Sequence, residues 1–350
     1  MINFAIIGCG RIAKKHKEAI INTEGANLYA VCDLNEDKAK KLREDLSDTK
    51  VFTDYKELLE DEYVDVFNIC TDHIPHTQVG IDAMNAGKHV MIEKPIAINL
   101  SDADKLIETQ KKTGVKATAV HQNRFNDVVQ KTRKAVEENK FGEFSHGVAS
   151  IRWNRNEQYY GLNQWRGSEE QKDGILMNQC IHNIDLLTWM MGPVKKVTGI
   201  TKTRFRDIEM EDVAVATLEF ESGAIGTIEG AGTIHPTNLE ETLNLFGEKG
   251  TVMLGGIAVN KIEAWRFNEN FQEEEISMLE EQENPTDVYG FGHQRIVEDM
   301  VDSINNDREP YITLNDGKNA LEIILAIYES SKLGGKPVYL KEFREGMILE

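Results

Sequence analysis

No run of apolar residues in this 350-residue chain comes near the length of about 18 that a membrane-crossing helix needs, which excludes a helical membrane protein. Cysteine is scarce. The four residues, Cys9, Cys32, Cys70 and Cys180, form no C-x-x-C pair, so they offer neither a disulfide framework nor a zinc ribbon. H-E-x-x-H is missing too, and no metal is expected. Positive charge is in deficit: 40 Lys and Arg stand against 59 Asp and Glu, a net charge of −19. Such a surface repels nucleic acid and anionic membranes and favours solubility. There is no internal repeat and no low-complexity linker. The N-terminus Met1-Ile2-Asn3-Phe4 enters a strand without a basic leader or cleavage site, and three cysteines sit in or beside apolar strands. The chain therefore reads as a reduced, cytoplasmic protein.

What is present is ordinary for a globular protein, 40% apolar and 28% charged residues. This length exceeds a typical single core, and two domains are expected, 1–122 and 123–350. The first alternates short apolar runs with amphipathic stretches, the pattern of an α/β domain with a doubly wound parallel sheet. The runs are Phe4–Ile7, Leu28–Cys32, Val51–Phe52, Val64–Cys70, His89–Ile92 and Val115–Val120. Helical spacing between them predicts helices over 36–46 and 102–112, the latter capped by Ser101 and closed by Gly114. After Asn126 the texture changes to a helix, an alternating strand from His146 to Trp153, a polar and aromatic stretch, and an apolar helix over 175–191 stopped by Gly192-Pro193. Strands joined by glycine turns follow, with a hairpin at Glu221-Ser222-Gly223, and then helices over 295–304 and 321–332. The second domain is expected to be α+β, one large open, mostly antiparallel sheet with helices on one face. The C-terminal helix is able to pack back on the first domain.

Gly8-Cys9-Gly10-Arg11-Ile12-Ala13 follows the first strand and opens a helix, matching G-x-G-x-x-G/A. Gly8 permits the tight turn, Gly10 lets the backbone approach a pyrophosphate, and Arg11 and Ile12 carry the chain into the helix whose amides face that group. Asp33 ends the second strand about 20 residues on, where a carboxylate takes the adenosine ribose hydroxyls. Leu34 and Asn35 supply no positive charge for a 2′-phosphate, which favours NAD over NADP. Thr71 and Asp72 end the fourth strand and are candidate cofactor contacts, with plain helix capping as the alternative. Gln122, at the domain boundary, joins the cofactor set. His76 reads as a structural hydrogen-bonding group.

Glu93-Lys94-Pro95 places a lysine at the carboxyl end of the fifth strand, against a proline that cannot continue the ladder. Most lysines are surface groups; this one stands at the cofactor edge of a sheet, where it can hold a hydroxyl or act as a base. Asn178 and His182 fall four apart on one helical face, and Asp185 three further on. A histidine is the natural proton acceptor near neutral pH, although a satisfied core histidine is the bland alternative. Trp165-Arg166 precedes that helix, and Arg152, Arg155, Tyr159 and Tyr160 gather charge and rings upstream. Arginine can clamp a phosphate or carboxylate and tryptophan can shield a nicotinamide, so this local excess suits an anionic substrate; an ordinary solvated loop is the alternative.

Together, Gly8-x-Gly10-x-x-Ala13, Glu93-Lys94-Pro95, Trp165-Arg166 and Gly174-x-x-x-Asn178-x-x-x-His182-x-x-Asp185 resemble the Gfo/Idh/MocA oxidoreductases over essentially the whole chain. The resemblance implies a Rossmann domain and a C-terminal domain whose open sheet builds dimers or tetramers. It also implies NAD(P)-dependent oxidation of a sugar or cyclitol hydroxyl. Carried over, Lys94 and His182 are the catalytic pair. Glu93, Trp165 and Arg166 join Gly8, Gly10, Arg11, Ile12, Asp33, Thr71, Asp72, Lys94 and Gln122 at the cofactor, while Asn178, Arg152, Arg155, Tyr159 and Asp185 hold substrate. Many members carry Asp where this chain has Asn178. The Asn-x-x-x-His form, with Trp165-Arg166-Gly167 and the segment from Asn238 to Glu248, resembles the branch that oxidises C3 of UDP-N-acetylglucosaminuronate. A free-sugar or inositol dehydrogenase and a nonenzymatic NAD-binding sensor are the alternatives.

Overall fold

The computed structural model describes residues 1–267 and 292–346. The chain divides into two compact units, Met1–Gln122 with Phe291–Leu321, and Asn123–Gly290 with Glu322–Glu350. A segment from late in the sequence thus belongs to the first unit. No helix among the described residues is long and apolar enough to cross a membrane.

The first unit is built on β1 (Ile2–Ile7), β2 (Ala26–Cys32), β3 (Lys50–Phe52), β4 (Val66–Ile69), β5 (His89–Ile92) and β6 (Ala117–Ala119). They lie in the order β3-β2-β1-β4-β5-β6, and every neighbouring pair is parallel. Winding reverses between β1 and β4, so the crevice at their carboxyl ends is where such a sheet takes ligands. Phe4, Ile6, Phe67, Ile69 and Ile92 are fully buried, as strands covered on both faces require.

The helices of this unit are α1 (Ala13–Ile21), α2 (Glu36–Arg43), α3 (Lys56–Leu59), α4 (Pro75–Asn85) and α5 (Leu100–Thr113), with Gly292–Asn305 later in the chain. Asn99, not Ser101, caps α5: its side chain accepts from the Asp102 amide at 2.9 Å, while Ser101 already lies in the first turn. Gly114 closes the helix in the left-handed conformation, φ 72°. The helix expected from Leu321 begins at Leu314. Thr313 and Asp316 cap each other there, the Asp316 carboxylate accepting from the Thr313 amide at 2.8 Å and the Thr313 hydroxyl accepting from the Asp316 amide at 3.3 Å.

The second unit holds β7 (Phe144–Arg152), β8 (Val194–Lys202), β9 (Val213–Phe220), β10 (Ile225–Ala231), β11 (Glu240–Gly247), β12 (Thr251–Gly255), β13 (Lys261–Arg266) and β14 (Val338–Tyr339). Their order is β13-β12-β11-β7-β10-β9-β8-β14. Only the β7–β10 pair is parallel; the hairpin β9–β10 and the remaining pairs are antiparallel. Burial alternates along β9: Ala214, Ala216, Leu218 and Phe220 are buried while Val215 between them is exposed. One face is therefore covered and the other open. Helices α6 (Asp127–Glu137) and α7 (Glu157–Tyr160) precede α8 (Ile181–Met191), which packs on β7 and β11.

Candidate active site

In the first unit, β1 runs into Gly8, whose φ is 92°. A side chain there would meet the Thr71 amide nitrogen at 2.7 Å, so only glycine lets the turn pass the end of β4. Around Gly10 nothing lies within 4 Å of where a Cβ would be, and this open side, at the approach to α1, is the space a pyrophosphate needs. Asp33 stands at the end of β2, one carboxylate oxygen accepting from the Cys9 amide and the other from the Asn35 amide, both at 2.8 Å. Leu34 beside it is 94% exposed, and Glu36 and Asp37 open α2. That is an acidic rim, suited to ribose hydroxyls and hostile to a 2′-phosphate. These residues fit a bound NAD. Arg11 is exposed and Ile12 half-buried beside the same turn; Thr71 and Asp72 are half-buried at the end of β4, with the Thr71 hydroxyl donating to the Asp72 carbonyl at 2.9 Å. Gln122 is 4% exposed.

Between Met91 and Ala97, Lys94 is the one residue not buried. Its turn is held from two sides. The Nδ1 of His76 lies 2.8 Å from the Pro95 carbonyl, which bears out the structural reading of that histidine. Glu93, expected at the cofactor, points inward instead: it is 5% exposed, with Oε1 2.7 Å from His16 Nε2 and Oε2 accepting from the Lys94 amide at 3.1 Å. Burial alone would raise its pKa, but the hydrogen bond from His16 and the nearby Lys94 ammonium bring it down to about 2. His16, Glu93 and His293 are all buried and offer three ligand atoms within 4.8 Å of one another, a spacing a metal ion could also use.

In the second unit, the segment carrying Asn178 and His182 is not a regular helix throughout. A π-helical turn, Leu176–Cys180, runs into α8. From Asp173 to Leu187, only Asn178 and His182 escape burial. His182 is thus half-buried on a segment whose neighbours are buried. Asn178 donates its side-chain amide to Asp173, a residue 1% exposed whose other oxygen accepts from the Gly167 amide at 2.8 Å. Since a carboxylate only accepts, Asn178 turns its nitrogen to Asp173 and its oxygen away. Glu211 caps the start of the π turn, accepting from the Leu176 amide at 2.9 Å and the Tyr328 hydroxyl at 3.0 Å. Burial raises its pKa to about 7.

Upstream of the π turn, Tyr159 lies between two guanidinium groups, Arg155 at 4.8 Å and Arg166 at 4.4 Å from its ring centre. Arg155 also stands over Trp153, and Arg166 over Trp165. The Tyr159 hydroxyl accepts from Arg166 and, at 3.0 Å, from Gln179 inside the π turn. Arg155, Arg166, Tyr159 and Trp165 are half-buried around the buried Trp153, forming a cationic, aromatic block able to meet an anion and stack on a planar ring.

Two residues expected at the substrate are engaged elsewhere. Asp185 is 2% exposed and pairs through both oxygens with Arg124, at 2.8 and 2.6 Å. Strand parity puts Arg152 on the face opposite Ile151, and its guanidinium pairs with Glu229 and Glu240 on the neighbouring strands. The helix face buries Asp185, and the strand pleat brings Arg152 to its two glutamates. Sequence reasoning missed His16, Asp173 and Glu211. His16 carried one weak signal, a polar residue three positions after Ala13 on the buried face of α1; nothing local sets Glu211 apart from Glu209.

Two family models match most of the chain. Residues 2–121 match the oxidoreductase family's NAD-binding Rossmann fold, and residues 133–340 match its C-terminal alpha/beta domain. A solved structure of the WlbA dehydrogenase from Bordetella pertussis, in complex with NADH and UDP-GlcNAcA, is 32% identical, with a TM-score of 0.87 over 97% of this chain and 98% of that one. The WlbA structure from Chromobacterium violaceum, with the same two ligands, is 31% identical, with a TM-score of 0.87 over 97% and 95%. The myo-inositol 2-dehydrogenase of Thermotoga maritima is 28% identical over 333 residues, 91% of this chain and 93% of its own. An NAD-binding parallel sheet with an open turn at Gly10, joined to the family's second domain, identifies the chain as a member of the Gfo/Idh/MocA oxidoreductases, an NAD-dependent dehydrogenase acting on a CH–OH group.

Proposed function

We propose that this protein oxidises the C3 hydroxyl of UDP-N-acetylglucosaminuronate, with NAD as the hydride acceptor. The observation that carries the reading is the arrangement around Asn178. Its amide is fixed by Asp173, it is half-exposed with His182 on an otherwise buried segment, and Gln179 ties that segment to the Arg155–Tyr159–Arg166 block. A diphosphate and a sugar carboxylate suit two arginines, and a uracil ring suits the aromatic faces between them. The likeness to two WlbA structures that hold UDP-GlcNAcA supports the same choice.

Bound NAD supplies the acceptor for the hydride. His182, assisted by Lys94, takes the proton of the C3 hydroxyl, so that loss of a hydride from C3 would leave a C3 ketone. Asn178 accepts a hydrogen bond from a sugar hydroxyl through its side-chain oxygen and so orients the ring. Arg155, Arg166 and Tyr159 hold the anionic part of the substrate, and Trp165 shields the nicotinamide from water.

We further place the protein in the cytoplasm as a homo-oligomer, dimer or tetramer, in surface-polysaccharide sugar biosynthesis. Four buried, free cysteines fit a reducing compartment, and Ile200, Val215 and Ile225, all exposed on the open sheet face, fit an interface. A second reading, oxidation of inositol or a free sugar, draws on the likeness to the myo-inositol 2-dehydrogenase. The test is NADH absorbance with each candidate in turn. Turnover of myo-inositol with none of the nucleotide sugar sinks the first reading.

A further inference from the structure

Beneath Glu93-Lys94-Pro95 lies a chain of directed hydrogen bonds that crosses three elements of the first unit. It begins at Cys70, at the end of β4, whose thiol donates to Asn68 Oδ1 at 3.7 Å. Burial keeps that thiol protonated, so its direction is fixed. With its oxygen so engaged, Asn68 turns its nitrogen to His16 on α1, where Nδ2 lies 2.9 Å from Nδ1. An amide nitrogen only donates, so His16 Nδ1 accepts and the ring proton belongs on Nε2. Nε2 then donates to Glu93 Oε1 at 2.7 Å, and Glu93 Oε2 accepts from the Lys94 amide at 3.1 Å. Asn68 and His16 are fully buried, Cys70 is 4% exposed and Glu93 5%.

We infer that Asn68, His16 and Glu93 are positioning residues for Lys94, forming a relay that selects one tautomer of His16 so that Glu93 locks the backbone from which the lysine projects. The inference rests on the reading that Lys94 works at the substrate hydroxyl. The relay also sets a buried negative charge beside that lysine. The groups facing Glu93 are His16 on α1, His293 on the helix Gly292–Asn305, His76 on α4, Cys70 after β4, and Lys94 itself. His293 meets the His16 ring edge-on at 5.2 Å between centres. The same trio has a metal's spacing, but an ion would need the Nε2 lone pair, which the Asn68 contact assigns to a proton. An error of about 1 Å in a reacting group costs on the order of 100-fold in rate, which is why a catalytic lysine on a turn gains from a braced backbone.

The test combines a spectrum with kinetics on the full-length enzyme. Histidine labelled with ¹⁵N, with His16 assigned by its loss in His16→Gln, reports which ring nitrogen carries the proton. The expected result is protonated Nε2 and bare Nδ1, unchanged by a chelator. A bare Nε2, or a spectrum altered by EDTA or by added zinc, overturns the relay. Asn68→Asp replaces the donor at Nδ1 by an acceptor, so both ring nitrogens must donate. The expected outcome is a persistent imidazolium signal, kcat lower by about 10–100-fold with the KM for NAD within about threefold, and a displaced pH profile of kcat. Asn68→Ala is expected to lower kcat without displacing the profile. Wild-type kinetics in both variants overturns the relay. Lys94→Ala is run beside them with whichever substrate the wild type turns over. Full turnover in Lys94→Ala removes the reading beneath the inference; an inactive Lys94→Ala with undisturbed Asn68 variants removes the relay alone.

Discussion

Asp173 holds the side-chain amide of Asn178 and the backbone amide of Gly167 with its two carboxylate oxygens, tying the π turn to the Trp165-Arg166-Gly167 bend. That relationship explains the asparagine. A second carboxylate at this position would face Asp173 directly, and the two could not both ionise without separating. Asn178→Asp is therefore expected to lower kcat/KM by about 10–100-fold and to add an ionisation to the pH profile. An initial-rate series across pH checks it. Unchanged kinetics would mean that Asp173 does not constrain the site.

Lys94 and His182 are each expected to matter to proton transfer more than to binding. Lys94→Ala and His182→Ala should each lower kcat by about 10²–10⁴, and the double variant should lose far less than the product of the two. In His182→Ala, cofactor affinity, followed by the fluorescence of bound NADH, should stay near that of the wild type. Full turnover in either variant would remove that residue from the catalytic pair.

Asp33 carries the choice of dinucleotide. Losing a charge-assisted hydrogen bond costs about 1.5–3 kcal/mol, so Asp33→Ala should narrow the preference for NAD over NADP by about tenfold or more. The ratio of kcat/KM for the two cofactors measures it directly. An unchanged ratio would show that the ribose is read elsewhere.

Glu211 makes stability depend on pH. Its folded pKa, near 7, lies above the ordinary value of 4.5, so the folded protein holds a proton that the unfolded chain has released. Stability at this group is intact below the unfolded value and is lost as pH rises from about 5 through 7. Glu241, raised by burial to about 8, acts in the same direction. Glu211→Gln keeps an acceptor for Leu176 and Tyr328, and should leave Tm unchanged at pH 5 while raising it at pH 8. Calorimetry at the two pH values tests this; an equal shift at both would place the effect outside the carboxyl's titration.

The Arg124–Asp185 pair is a buried fork, so Arg124→Ala strands a carboxylate in the core of the second unit. Breaking such a pair costs about 3–5 kcal/mol. Urea unfolding should show a loss of that order, and a loss below about 1 kcal/mol would mean water or another cation replaces the arginine.

The fold was largely legible because its signals are local. Continuous apolar runs marked the six parallel strands, glycine marked the turn after β1, and alternation marked the hairpin β9–β10. Errors arose where two local signals competed or the partner was distant in sequence. Ser101 and Asn99 are both good caps, and only backbone angles decide between them. The start at Leu314 hid behind a capping pair that reads as an ordinary loop. Within the site, position was easier to read than direction. Lys94, Asn178 and His182 stand out from buried surroundings, but Glu93 turns inward because His16, 77 residues earlier, is there to receive it. Arg152 and Asp185 were lost to Glu229, Glu240 and Arg124, partners that no spacing rule reveals.

The most direct test of the central claim is initial-rate NADH formation by the purified enzyme given NAD and either UDP-N-acetylglucosaminuronate or myo-inositol, with the product identified by NMR. The account predicts turnover of the nucleotide sugar to a C3 ketone and none of the cyclitol. Turnover of myo-inositol alone, or a ketone at another carbon of the sugar ring, would contradict it.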